Sequence, residues 1–127
     1  GPIVLCGKSM GSRVGCHLSL ELPVSTIICL GYPLGRVGRP QRDQVLLDLK
    51  VPTLFIQGTR DPLAPFDLMQ DICGRMSAPN SLHRVDDGNH SLEVAKRTLK
   101  ATQTTQADHD AAILAAIAGF LDEHLPD

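Results

Sequence analysis

Tryptophan is absent from this 127-residue chain, tyrosine occurs once and phenylalanine three times, so few rings are on hand to stack nucleic-acid bases. Nor is there a surplus of positive charge: 12 Lys and Arg stand against 14 Asp and Glu, for a formal net charge of −2, and a polyanion is held mainly by a positive field. Nucleic acid is therefore not an expected partner. No apolar run approaches the ~18 consecutive residues of a membrane span, and no basic-then-apolar leader with a small-residue cleavage site opens the chain. Cys6, Cys16, Cys29 and Cys73 are the four cysteines. None is spaced as in a C-x-x-C ligand pair, and three lie in apolar stretches where a thiol packs as a small hydrophobe. The expectation is one soluble domain over residues 1–127, cytoplasmic, with no membrane association and no metal or cofactor.

What is present is a regular alternation. Ile3-Val4-Leu5-Cys6 is an apolar run, β-branched at first and closed by Gly7, as a strand buried on both faces reads. Thr26-Ile27-Ile28-Cys29-Leu30, ended by Gly31, and Thr53-Leu54-Phe55-Ile56-Gln57, ended by Gly58, repeat the pattern. Ser81-Leu82-His83-Arg84-Val85 is more polar and suits a sheet edge. Between the strands, Val14, Leu18 and Leu22 on one side and Phe66, Met69, Ile72 (or Cys73) and Met76 on the other fall at helical spacing. Asp108 is placed to cap a final helix whose Ile113, Ile117, Phe120, Leu121 and Leu125 form one stripe. Gly31 to Gln44 and Ala95 to Gln106 read as exposed loops. The pattern predicts an α/β fold: a parallel sheet of about four strands with crossover helices.

Directly after the first strand comes Gly7-Lys8-Ser9-Met10-Gly11. A G-x-S-x-G string arises readily by chance, but one placed between a buried strand and a helix is a candidate nucleophile elbow. There Ser9 would sit on a strained turn, its hydroxyl raised above the sheet. Gly7 and Gly11 would make room for neighbouring backbone, and the N–H of Met10 would face a developing oxyanion. A capping serine is the plainer alternative. A phosphate-binding loop is excluded, because Pro2 occupies the position of its first glycine and the four spacer residues form a strand.

A serine hydroxyl needs an imidazole to take its proton and a carboxylate to hold that imidazole. Asp61 follows the third strand and His90 the fourth, each just beyond a carboxyl end, the edge where open α/β sheets bind ligands. The order Ser, Asp, His belongs to this type of elbow. His17, His83, His109 and His124 lie within or at the ends of predicted elements and fit poorly as bases. Asp86 and Asp87 are fallback carboxylates, so close before His90 that shaping its loop is the better role for them.

With these residues the sequence resembles the alpha/beta hydrolases. More narrowly, Gly7 to Arg13, Cys29-Leu30-Gly31-Tyr32-Pro33-Leu34, Leu46 to Gly58 and Asn89-His90-Ser91-Leu92 are similar to a small group of bacterial hydrolases, a testis-expressed animal protein and a chromatin-complex subunit of the nonspecific-lethal type. The resemblance implies Ser9 as nucleophile, Asp61 as acid and His90 as base, acting on an ester, thioester or amide of a small-molecule acyl substrate. It also implies a partial domain. Such folds usually have about eight strands with the elbow near the middle, and here the elbow strand comes first. The front half, with a second oxyanion donor, is then missing, and a chain lacking a donor worth about 10²-fold is expected to be a weak catalyst. The strand at Ile3–Cys6 would have an open edge, covered by an N-terminal half or by self-association. A hydrolase-like scaffold for protein partners and an acyltransferase are the alternatives. Arg36, Arg39 and Arg42, with Lys96, Arg97 and Lys100, offer a faint hint of an anionic substrate.

Overall fold

The computed structural model describes residues 1–35 and 43–125. Strands β1 (Val4–Lys8), β2 (Thr26–Leu30), β3 (Thr53–Gly58) and β4 (Asn80–Val85) alternate with helices α1 (Met10–Ser19), α2 (Gln44–Asp48) and α3 (Phe66–Arg75). Helices α4 (Lys96–Thr102) and α5 (Gln106–His124) follow β4. The sheet has the order β1-β2-β3-β4 and every pair is parallel, with Cys6 beside Ile28, Cys29 beside Phe55 and Phe55 beside Leu82. This is the predicted α/β architecture. Its common direction places the ends of β1, β2, β3 and β4, at Lys8, Leu30, Gly58 and Val85, on one rim.

Side chains alternate across a strand, so β2 and β3 each feed two cores. Ile27, Cys29 and Phe55 point to one face, where Cys16, Tyr32, Leu34, Leu46, Leu49, Met69 and Ile72 close over them. Ile28, Leu54 and Ile56 point to the other, against Val85, Ile113 and Phe120. Burying each such large side chain contributes about 1.5–3 kcal/mol. β4 is the partly exposed edge strand its polar composition predicts.

Several local expectations are corrected. Helix α1 buries Ser12, Gly15 and Cys16, while Val14 and Leu22 are 51% and 53% exposed and Leu18 is exposed as well. The sheet-facing side of α1 is made of small residues because the helix lies close on the sheet, with Gly15 against Leu5. The predicted exposed loop after β2 instead begins with a buried stretch, Gly31 to Leu34, and α2 lies beyond it. Positions 36–42 are outside the described residues, and with them Arg36, Arg39 and Arg42. Ala95 to Gln106 contains α4 rather than only loop. Thr105, not Asp108, caps α5: its hydroxyl accepts the Asp108 N–H while the Asp108 carboxylate accepts the Thr105 N–H, a reciprocal capping box.

Candidate active site

Ser9 links β1 to α1 with φ 52° and ψ −119°, a conformation L-residues rarely adopt. Its N–H donates to the Leu30 carbonyl at 2.8 Å, and its own carbonyl accepts the Ser12 N–H at 2.9 Å. The bend brings the first turn of α1 back onto β1: a Cβ on Gly7 would lie 2.5 Å from the Gly11 carbonyl carbon and 2.6 Å from the Ser12 nitrogen. Glycine is thus required at position 7. Position 11 differs from expectation, since a Cβ there would meet open space; Gly11 is the backbone that Gly7 makes way for. Met10 opens α1, so no carbonyl four residues back lies within the helix to accept its N–H.

The loops after β3 and β4 run against each other. Thr59 N–H donates to the Val85 carbonyl at 3.1 Å and Arg60 N–H to the Gly88 carbonyl at 2.9 Å. A Cβ on Gly58 would lie 2.2 Å from the Gly88 oxygen, so only glycine permits this approach. Three residues on from Gly58, the buried Asp61 receives the Leu63 N–H on Oδ1 at 2.8 Å and faces His90 Nδ1 with Oδ2 at 2.7 Å. The other ring nitrogen, Nε2, lies 2.7 Å from Ser9 Oγ. The His90 loop is itself tied: Asn89 Oδ1 accepts the N–H groups of Ser91 and Glu93 at 2.9 and 3.0 Å.

Ser9, His90 and Asp61 therefore form one hydrogen-bonded row along the carboxyl rim of the sheet. With Asp61 accepting at Nδ1–H, the free lone pair of Nε2 faces the serine hydroxyl. None of the other histidines takes this place. His109 bonds the Thr104 hydroxyl at 2.9 Å, His124 packs on the Phe120 ring, His83 is on β4 and His17 is on α1. Asp86 is exposed and pairs with Arg84, and Asp87 is engaged by Arg60 and Thr98, so neither fallback carboxylate is the partner of His90. Among the described residues no three His, Cys, Asp or Glu side chains gather as metal ligands. Nothing local in the sequence sets Gly31 against His90, because contact across distant loops leaves no local signal.

The family model for the alpha/beta hydrolase domain matches residues 1–121. The chain belongs to the alpha/beta hydrolase family. Solved alpha/beta hydrolase structures agree on the fold. An esterase domain from Rhodothermus marinus superposes with a TM-score of 0.71 at 16% identity, covering 98% of this chain and 62% of its own. A serine hydrolase involved in carbazole degradation gives 0.71 at 14% identity, covering 98% and 65%. An alpha-beta serine hydrolase homologue from Coxiella burnetii gives 0.58 at 21% identity, covering 70% and 41%. The present chain thus spans from about two fifths to just under two thirds of the length of these structures. No helix among its described residues is long and apolar enough to cross a membrane.

Proposed function

We propose that this chain carries the catalytic row of a serine hydrolase, with Ser9 as nucleophile, His90 as general base and then acid, and Asp61 as the group that orients His90. The observation that carries the reading is the continuous pair of 2.7 Å contacts from Ser9 Oγ to His90 Nε2 and from His90 Nδ1 to Asp61 Oδ2. Ser9 Oγ adds to the carbonyl carbon of an ester, thioester or amide as its proton passes to Nε2. The N–H of Met10 stabilises the oxyanion. Collapse expels the leaving group, which takes the proton from Nε2, and water admitted along the same path releases the acid and restores Ser9.

The Gly31-Tyr32-Pro33-Leu34 and Leu47-Asp48-Leu49-Lys50-Val51-Pro52 segments support the narrower kinship with the bacterial hydrolases and their testis-expressed and chromatin-complex relatives. The four free thiols suit a reducing compartment such as the cytoplasm. Association belongs at the edge of β1, where Ile3 and Cys6 are exposed, either with an N-terminal half of the fold or with a second copy.

A fluorophosphonate probe tests the reading directly. The folded full-length protein is expected to be labelled and its Ser9→Ala variant to escape. Absence of labelling in well-folded protein overturns the hydrolase and favours a scaffold for protein partners; transfer of the acyl group to an added alcohol or amine in preference to water identifies an acyltransferase.

A further inference from the structure

Asp61 and His90 sit on separate loops, and a 2.7 Å bond between them survives only if both loops are held to within a fraction of an ångström. Asp87 is the residue through which these loops are joined by side-chain as well as main-chain bonds. Its backbone is left-handed, with φ 60°. Its N–H donates to the Thr59 hydroxyl at 2.8 Å, tying it to the loop that carries Asp61. Arg60, one residue before Asp61, directs Nε to both the carbonyl oxygen of Asp87 at 3.0 Å and its carboxylate Oδ1 at 2.9 Å. The second carboxylate oxygen accepts the Thr98 hydroxyl from α4, and the Asp87 carbonyl also receives the Ala95 N–H at 3.3 Å. The Thr98 hydroxyl, followed by Arg60 and Arg97, holds this carboxyl below the usual carboxylate range.

We propose that Asp87 is a positioning residue of the candidate active site: it clamps the Thr59–Asp61 loop to the Gly88–His90 loop and both to α4, and so fixes the Asp61–His90 hydrogen bond. The inference rests on reading Ser9, His90 and Asp61 as the catalytic row. Asp87 touches none of the reacting atoms and acts through His90. A small misplacement of such a base is enough to lower rate by about 10²-fold.

Three variants of the full-length protein test it. Asp87→Gly keeps the left-handed backbone without strain and removes the carboxylate; Asp87→Asn keeps an acceptor oxygen; Thr98→Val cuts one arm of the clamp. Each is compared with wild type at temperatures where circular dichroism shows the fold intact. The expected result is fluorophosphonate labelling slowed about 10- to 100-fold in Asp87→Gly, severalfold in Thr98→Val and least in Asp87→Asn. In parallel, the low-field proton resonance of the His90–Asp61 hydrogen bond disappears or broadens in Asp87→Gly while the rest of the spectrum stays dispersed. Wild-type labelling and an unchanged low-field proton in folded Asp87→Gly overturn the proposal and leave Asp87 a loop brace only. Should Asp87→Gly not fold, a wild-type labelling rate in Thr98→Val overturns it equally. If wild type is not labelled at all, the hydrolase reading fails, and the low-field proton alone still decides whether Asp87 sets the Asp61–His90 bond.

Discussion

Gly31 and His90 are in contact across the rim of the sheet: Gly31 has φ 67°, and a methyl group on it would lie 2.9 Å from the His90 carbonyl oxygen and 3.6 Å from ring atoms Cε1 and Nδ1. Glycine here leaves room for the His90 carbonyl and ring just past the end of β2, whose Leu30 carbonyl also receives the Ser9 N–H.

Gly31→Ala is accordingly expected to act twice. A left-handed alanine costs about 1–3 kcal/mol of stability, and the displaced His90 backbone carries its ring away from Ser9. Thermal denaturation and fluorophosphonate labelling are the measurements. The expected result is a lower melting temperature together with labelling at least about tenfold slower at temperatures where the variant is folded. An unchanged labelling rate would show that His90 is held independently of Gly31.

Ser9 itself is strained, and the strain can be weighed apart from chemistry. Ser9→Ala and Ser9→Gly both remove the hydroxyl that meets His90, but only glycine relaxes at φ 52°. Ser9→Gly is expected to exceed Ser9→Ala in stability by about 1–3 kcal/mol in urea denaturation, with both variants inert to the probe. Equal stability of the two would mean that the elbow stores no backbone strain.

Desolvation lowers the pKa of His83 below the ordinary histidine value. This residue lines a groove between β4 and α5 with Leu54 and Phe120. As pH falls through about 6.5 the unfolded chain binds its proton there first, so the folded state loses stability over the window between that value and the lower folded one. Below the folded value both states are protonated and the loss is complete. His83→Gln removes this contribution, so the urea midpoint of the variant should decline less than that of wild type between pH 7 and pH 5. Parallel declines would remove His83 as a source of the slope.

Composition and periodicity carried the framework. Three glycine-ended apolar runs and one more polar run became four parallel strands, and Ser9, Asp61 and His90 fell on one rim because consecutive parallel strands must all end there. Side-chain burial was less legible. Val14, Leu18 and Leu22 have the spacing of a core face, but close approach of α1 to the sheet is set by the small residues Ser12, Gly15 and Cys16, which hydrophobic counting passes over. Thr105 was hidden as a cap by the Thr-Gln run around it, although its partner Asp108 was visible. The sequence offers Asp86 and Asp87 alike as shapers of the His90 loop, and the ties that single out Asp87, to Thr59, Arg60 and Thr98, depend on three elements meeting in space.

The all-parallel order of the sheet also bears on when reactivity arises. Each pairing joins strands separated by a crossover, as in Val4 with Thr26 and Thr53 with Asn80, so none can close as a local hairpin. The Ser9 turn needs the Leu30 carbonyl, and its imidazole partner is not synthesised until residue 90. In a nascent chain Ser9 therefore stands without its imidazole neighbour until residue 90 has been made and β4 has docked.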